Sequence, residues 1–129
     1  MTIQLTPKES ENYFHSALCN GLGYIRGYGL SLSYSDVEYK KAKEELKSKD
    51  LEFVCYEDVL LQILKDGGSL EIIDEEEESY MSTITLDDVH DRVSKTDSQF
   101  LIQMDQENDD AITADCILQT VFFEEVIFG

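Results

Sequence analysis

Apolar positions along this chain follow two periods, and the switch from one to the other predicts its elements. Val59, Leu60, Ile63 and Leu64 recur at helical spacing and predict a helix over Tyr56–Lys65. Glu57 and Asp58 at its start and Lys65 at its end suit the helix dipole. Gly67 and Gly68 end it, because glycine enters the left-handed conformation without a Cβ clash. Leu70 and Ile72 then alternate with Glu71 and Ile73, so residues 69–74 read as a strand. Glu75, Glu76, Glu77 and Glu78 make a turn, since a run of carboxylates does not bury, and residues 80–84 return as a second strand. Thr85 and Asp88 form a capping-box pattern, with Ile84 and Val89 placed as a hydrophobic staple. Leu86, Val89 and Val93 then face the core. Residues 56–95 carry the densest set of agreeing signals and are expected to organise the fold.

The flanks are read the same way. Thr6, Pro7 and Glu9 start a first helix, with Phe14, Ala17 and Leu18 as its apolar face and Gly21 after Asn20 as its stop. Gly21, Gly23, Gly27 and Gly29 then read as a flexible turn entering a strand. In that strand Leu30, Leu32 and Tyr34 alternate with Ser31 and Ser33. Ser35 and Glu38 repeat the capping box ahead of a helix that buries Tyr39, Ala42 and Leu46. Residues 50–55 read as a linker or short strand. Phe100, Leu101 and Met104 mark a short helix, and residues 106–110 an acidic loop. Ala114, Ile117, Leu118, Val121 and Phe122 make a last helix. Residues 123–128 are rich in β-branched and aromatic side chains, which suits a strand, but the reading preferred here continues the helix. The expected fold is α+β: a small three-stranded, mostly antiparallel sheet packed against several helices, in one domain over residues 1–129.

Charge changes the picture more than composition does. The chain carries a formal charge of −18, and it is unevenly placed. Residues 1–65 hold 10 acids and 8 bases, whereas residues 66–129 hold 18 acids and only Arg92 and Lys95 as bases. Direct nucleic-acid binding is disfavoured, because that affinity comes largely from Lys and Arg. Anionic membranes are disfavoured likewise, and no apolar run is long enough to span a bilayer. A basic protein partner suits the field. Lys40, Lys41, Lys43, Lys47 and Lys49 hold half of the 10 basic residues and read as one solvated helix face, with a docking patch for an acidic partner as the alternative. The odd set Cys19, Cys55 and Cys116 argues against a secreted disulfide framework, and no signal-peptide pattern opens the chain, so a cytoplasmic setting is expected.

Motifs for chemistry fail on inspection. The glycine spacing is not that of a phosphate loop. Arg26-Gly27-Tyr28-Gly29 echoes an RNA-binding strand, but Leu30, Ser31 and Ser33 stand where aromatic and β-branched residues belong. Asp105, Glu107 and Asp109 begin like a calcium loop, yet Asp110 and Cys116 occupy its glycine and bidentate-glutamate positions. Weak, nonspecific divalent-cation binding is all those three imply. His15 and Cys19 lie four apart on one helix, and a zinc site with His90, Cys55 or Cys116 needs tertiary convergence without any C-x-x-C. Buried free cysteines and surface histidines are the simpler expectation. No cofactor is implied. The leading expectation is a non-enzymatic protein–protein interaction module, with Glu75, Glu76, Glu77 and Glu78 as partner-binding candidates. The second is a nucleic-acid mimic whose carboxylates on residues 75–78, on Asp87, Asp88 and Asp91, and on residues 105–110 imitate phosphates. The third is an enzyme of unrecognised class. Small acidic chains of this kind suit bacterial or phage accessory roles.

Overall fold

The computed structural model describes residues 5–49, 55–74, 82–96, 98–105 and 111–126. The chain begins with a long helix, α1 (Pro7–Gly27), whose start follows from its capping box. The Glu9 backbone N–H donates to Thr6 Oγ1 at 3.1 Å, and the Thr6 N–H donates to Glu9 Oε1 at 2.9 Å. The expected stop at Gly21 is overturned, since α1 runs six residues further to Gly27. Gly21 is buried in the helix interior, and a Cβ there would stand 2.9 Å from the backbone of both Ala114 and Asp115. Its glycine serves a close helix–helix approach rather than a turn. Gly23 and Gly27 are also helical, and only Tyr28 and Gly29, at φ +83°, turn the chain into the sheet.

Strand β1 (Leu30–Ser33) leads to α2 (Asp36–Ser48), whose first turn is capped by Ser35 Oγ accepting from the Glu38 N–H at 3.4 Å. Helix α3 (Tyr56–Lys65) follows and ends as the glycine pair predicts. Gly67 has φ +91°, its N–H donates to the Leu64 carbonyl at 3.0 Å, and the Gly68 N–H reaches back to Ile63 at 2.9 Å, which is a Schellman stop. Gly68 has a second role, because the Glu38 carboxylate and the Ile63 methyl group lie directly over its Cα.

Strand β2 (Leu70–Asp74) is central, pairing antiparallel with β1 and with β3 (Ser82–Ile84). Leu32 stands opposite Ile72, and Leu70 opposite Ile84. Period-two burial along β2 places Leu70 and Ile72 on the covered face, with Leu30 and Ile84 buried beside them. The α+β reading and the small sheet against helices are therefore correct. The acidic turn over residues 75–78, residues 80 and 81 of the returning strand, the linker over residues 50–54 and the acidic loop over residues 106–110 lie outside the described residues.

Helix α4 (Leu86–Arg92) passes through a 3-10 turn at Val93–Lys95 to α5 (Ser98–Asp105) and α6 (Ala111–Phe123). Helix α6 is the most enclosed element among the described residues. Every residue from Thr113 to Phe122 is buried, against α1, α5, β3, α4 and the 3-10 turn. A helix buried all round is central by construction. The preferred continuation of this helix through residue 128 is also overturned: it ends at Phe123, and Glu124 adopts φ +64° with its N–H bonded to the Thr120 carbonyl at 2.9 Å. Residues 124–126 are neither helix nor strand. Tyr34, Tyr39 and Tyr56 gather where β1, α2 and α3 meet, Tyr34 stacking on Tyr39 at 5.1 Å between centroids. Burial, and then a hydrogen bond with Tyr34, push the Tyr56 phenol up.

Candidate functional site

One face of α1 is polar although it is packed. Glu11, His15 and Cys19 recur every four residues along it, as a helix stripe requires. His15 Nε2 meets Asp58 Oδ1 of α3 at 2.5 Å. Glu11 binds His90 Nε2 of α4 at 2.9 Å through one oxygen and Lys65 of α3 at 3.5 Å through the other. Both histidines of the chain thus join α1 to a neighbouring helix, and each is half-buried rather than on the open surface. Beside His15 lies an open groove of about 280 Å³, lined by His15, Leu46, Asp58, Leu61, Gln62 and Lys65. Gln62 Nε2 donates to Asp66 at 2.9 Å and to Glu45 at 3.3 Å, so its amide is held.

The groove has a histidine–carboxylate pair, and Cys19 stands one turn further along α1. Burial pushes the Cys19 thiol up, and the carboxylates of Glu57 and Asp58 and the thiol of Cys55 push it further. A thiol held protonated is a poor nucleophile. Nor does a zinc site assemble: His15 and His90 are spent on different carboxylates, and no three His, Cys, Asp or Glu converge for a metal among the described residues. Cys19 and Cys55 are exposed and only Cys116 is buried, which corrects the expectation of buried cysteines. Asp105 is the last residue of α5, while Glu107, Asp109 and the four glutamates Glu75, Glu76, Glu77 and Glu78 lie outside the described residues.

The acidic half has a geometry of its own around α4. Arg92 approaches Asp88 at 3.5 Å and Glu124 at 3.6 Å, and its guanidinium donates to the Val121 carbonyl at 2.9 Å. Lys95 binds Asp91 at 3.1 Å and reaches Glu124 at 4.0 Å. The Asp88 carboxylate also accepts from the Thr85 N–H at 2.9 Å, completing the predicted cap from its side. Among the described acids here, Asp87 and Glu125 are exposed and in no ion pair with a described residue. Ile102, Ile112 and Val126, three of the five large apolar side chains that stand exposed among the described residues, belong to the same half of the sequence. The lysines of α2 behave differently: Lys40, Lys41, Lys47 and Lys49 are exposed, Lys43 is half-buried, and none pairs with a described acid.

Sequence reasoning missed a buried polar cluster between α1 and α6. Asp115 is 4% exposed. Its Oδ2 accepts from the Tyr28 hydroxyl at 2.6 Å and from Gln119 Nε2 at 3.0 Å, while Oδ1 has no hydrogen-bond partner among the described residues. Burial raises its carboxyl above the ordinary value, against the opposing pull of the two hydrogen bonds. The Tyr28 phenol is raised in turn, by burial first and then by Asp115. The available signal was an aspartate inside an apolar helical pattern with a glutamine four residues on. Set against protein-family models, curated proteins and solved structures, the chain matches none.

Proposed function

We propose that this protein is a non-enzymatic interaction module that docks a basic surface of a protein partner through its acidic C-terminal half. One observation carries the reading. Arg92 and Lys95, the only Lys or Arg of residues 66–129, are both clamped by the carboxylates of Asp88, Asp91 and Glu124. No Lys or Arg of that half is left to offset its remaining carboxylates, so its field is directed at whatever approaches from outside. Ile102, Ile112 and Val126 supply apolar anchors of the kind an interface core uses. The free thiols Cys19, Cys55 and Cys116 suit a reducing, cytoplasmic compartment. The same ion pairs count against α4 as a phosphate-like array, because Asp88 and Asp91 already hold cations. No helix among the described residues is long and apolar enough to cross a membrane.

The test is affinity capture from native lysate with the intact protein, followed by titration of the recovered partner. The expected partner is basic, binds stoichiometrically, releases at high salt and binds more weakly to Asp87→Asn/Glu125→Gln and to Ile112→Asp. Binding that is indifferent to salt and to all three substitutions would overturn the reading.

A further inference from the structure

The two exposed thiols stand at the same end of the seam between α1 and α3. The seam is antiparallel: Glu11 meets Lys65, the C-terminal residue of α3, and His15, one turn on along α1, meets Asp58, about two turns back along α3 in its first turn. One further turn along α1, about 6 Å at 1.5 Å per residue, brings Cys19. Three residues back along α3 from Asp58 brings Cys55, its N-cap, whose N–H donates to Asp58 Oδ2 at 3.3 Å. The Asp58 carboxylate therefore holds the His15 ring through one oxygen and the Cys55 backbone through the other. The same register carries Cys19 toward the Cys55 end of the seam, and the carboxylates of Glu57 and Asp58 and the Cys55 thiol all raise its own thiol after burial does. Both thiols are open to solvent, whereas Cys116 is shut inside α6.

We propose that Cys19 and Cys55 are a reversible dithiol–disulfide pair that clasps α1 to the N-terminus of α3 when it meets an oxidised low-molecular-weight thiol. The step balances as thiol–disulfide exchange. One protein thiolate attacks a sulfur of the small disulfide, breaks its S–S bond and expels a small thiolate, leaving a mixed disulfide. The second protein thiolate attacks the protein sulfur of that mixed disulfide, forms the Cys19–Cys55 bond and expels the other small thiolate. The two protein thiols lose two electrons in all, one small disulfide is reduced to two small thiols, and the protons from the protein thiols pass to the leaving thiolates. The closed bond adds a covalent tie one turn of α1 beyond the His15–Asp58 pair, at the N-terminal end of α3. This proposal does not depend on the partner-binding reading.

The experiment equilibrates the intact protein with buffers of reduced and oxidised glutathione, quenches with acid and alkylator, and maps the products by mass spectrometry and non-reducing gel. The expected product is a monomer lighter by two hydrogens, with a Cys19–Cys55 linked peptide, Cys116 unlinked and a higher Tm that reductant reverses. Cys19→Ser and Cys55→Ser should each lose the internal bond and instead hold glutathione on the remaining exposed thiol. Wild-type protein that carries glutathione on both exposed thiols, forms only intermolecular dimers, or stays reduced where glutathione itself is fully oxidised would overturn the proposal.

Discussion

Helix α1 presents two faces that are built by opposite means. Toward α6 it is dry and close-packed except at the Tyr28–Asp115–Gln119 cluster: Phe14, Ala17, Leu18, Gly21 and Ile25 are buried, the Phe14 and Phe122 rings lie 6.4 Å apart, and Gly21 lets two backbones approach closely. Toward α3 and α4 it is polar, held by Glu11 and His15 through half-exposed ion pairs. The dry face carries stability, because buried area and shape complementarity scale with apolar contact. The polar face contributes little energy but sets register, and so decides which side chains become neighbours. In this protein that register decides where Cys19 stands relative to Cys55.

The largest expected effect breaks the dry face. Phe14→Ala removes a fully buried ring that no neighbour replaces, and should cost about 3–5 kcal/mol, read as a fall in the urea midpoint at unchanged slope. The next sharpens the same face with two glycines that stand two residues apart and so on different sides of α1. Gly21→Ala drives a Cβ into the backbone of Ala114 and Asp115 and should cost roughly 1–3 kcal/mol despite the better helix propensity. Gly23→Ala meets nothing within 4 Å and should stabilise by up to ~1 kcal/mol. Equal shifts for the two variants would mean that α1 and α6 do not touch at Gly21.

On the polar face Asp58→Asn removes the His15 pair, and should cost about 0–1 kcal/mol with a penalty that shrinks in high salt. A loss as large as that of Phe14→Ala would show that the polar seam is a stability element after all. The smallest effect concerns Asp115. Burial raises its carboxyl in the folded state, so folding favours the protonated form. Stability from this group is full below the unfolded value and is lost as pH rises through the folded one. Asp115→Asn should therefore gain on wild type as pH rises from the ordinary aspartate range through the raised folded value, in paired urea titrations. A gap between the two that stays constant or closes would contradict the raised carboxyl.

Local chemistry made much of the fold legible. The Thr6 and Asp88 caps, the glycine stop at Gly67 and the alternation along β2 each depend on neighbours within four residues, and each appears where the pattern placed it. Gly21 failed because a glycine that permits a turn and a glycine that permits helix contact look alike until the second helix is known. Glu124 failed similarly: its left-handed backbone accompanies ion pairs to Arg92 and Lys95, which no local propensity records. The candidate site was half legible. His15 and Cys19 stood out by spacing, but their partners Asp58 and Cys55 lie across a tertiary seam.

By itself the sequence determined most of the element types, the helix starts after Thr6, Ser35, Cys55 and Thr85, the small antiparallel sheet and the charge imbalance, since caps, periodicity and ionisable groups act locally or by simple sum. Only the tertiary structure decided that α6 is enclosed on every side, with Thr113, Asp115, Gln119 and Thr120 buried rather than facing water. Polar residues on a helix signal an outer face only when water is there to meet them, and here α1 and its neighbours take that place. The tertiary structure likewise decided that Arg92 and Lys95 turn inward to Asp88, Asp91 and Glu124, because ion pairing depends on distances of a few ångströms that no residue count contains.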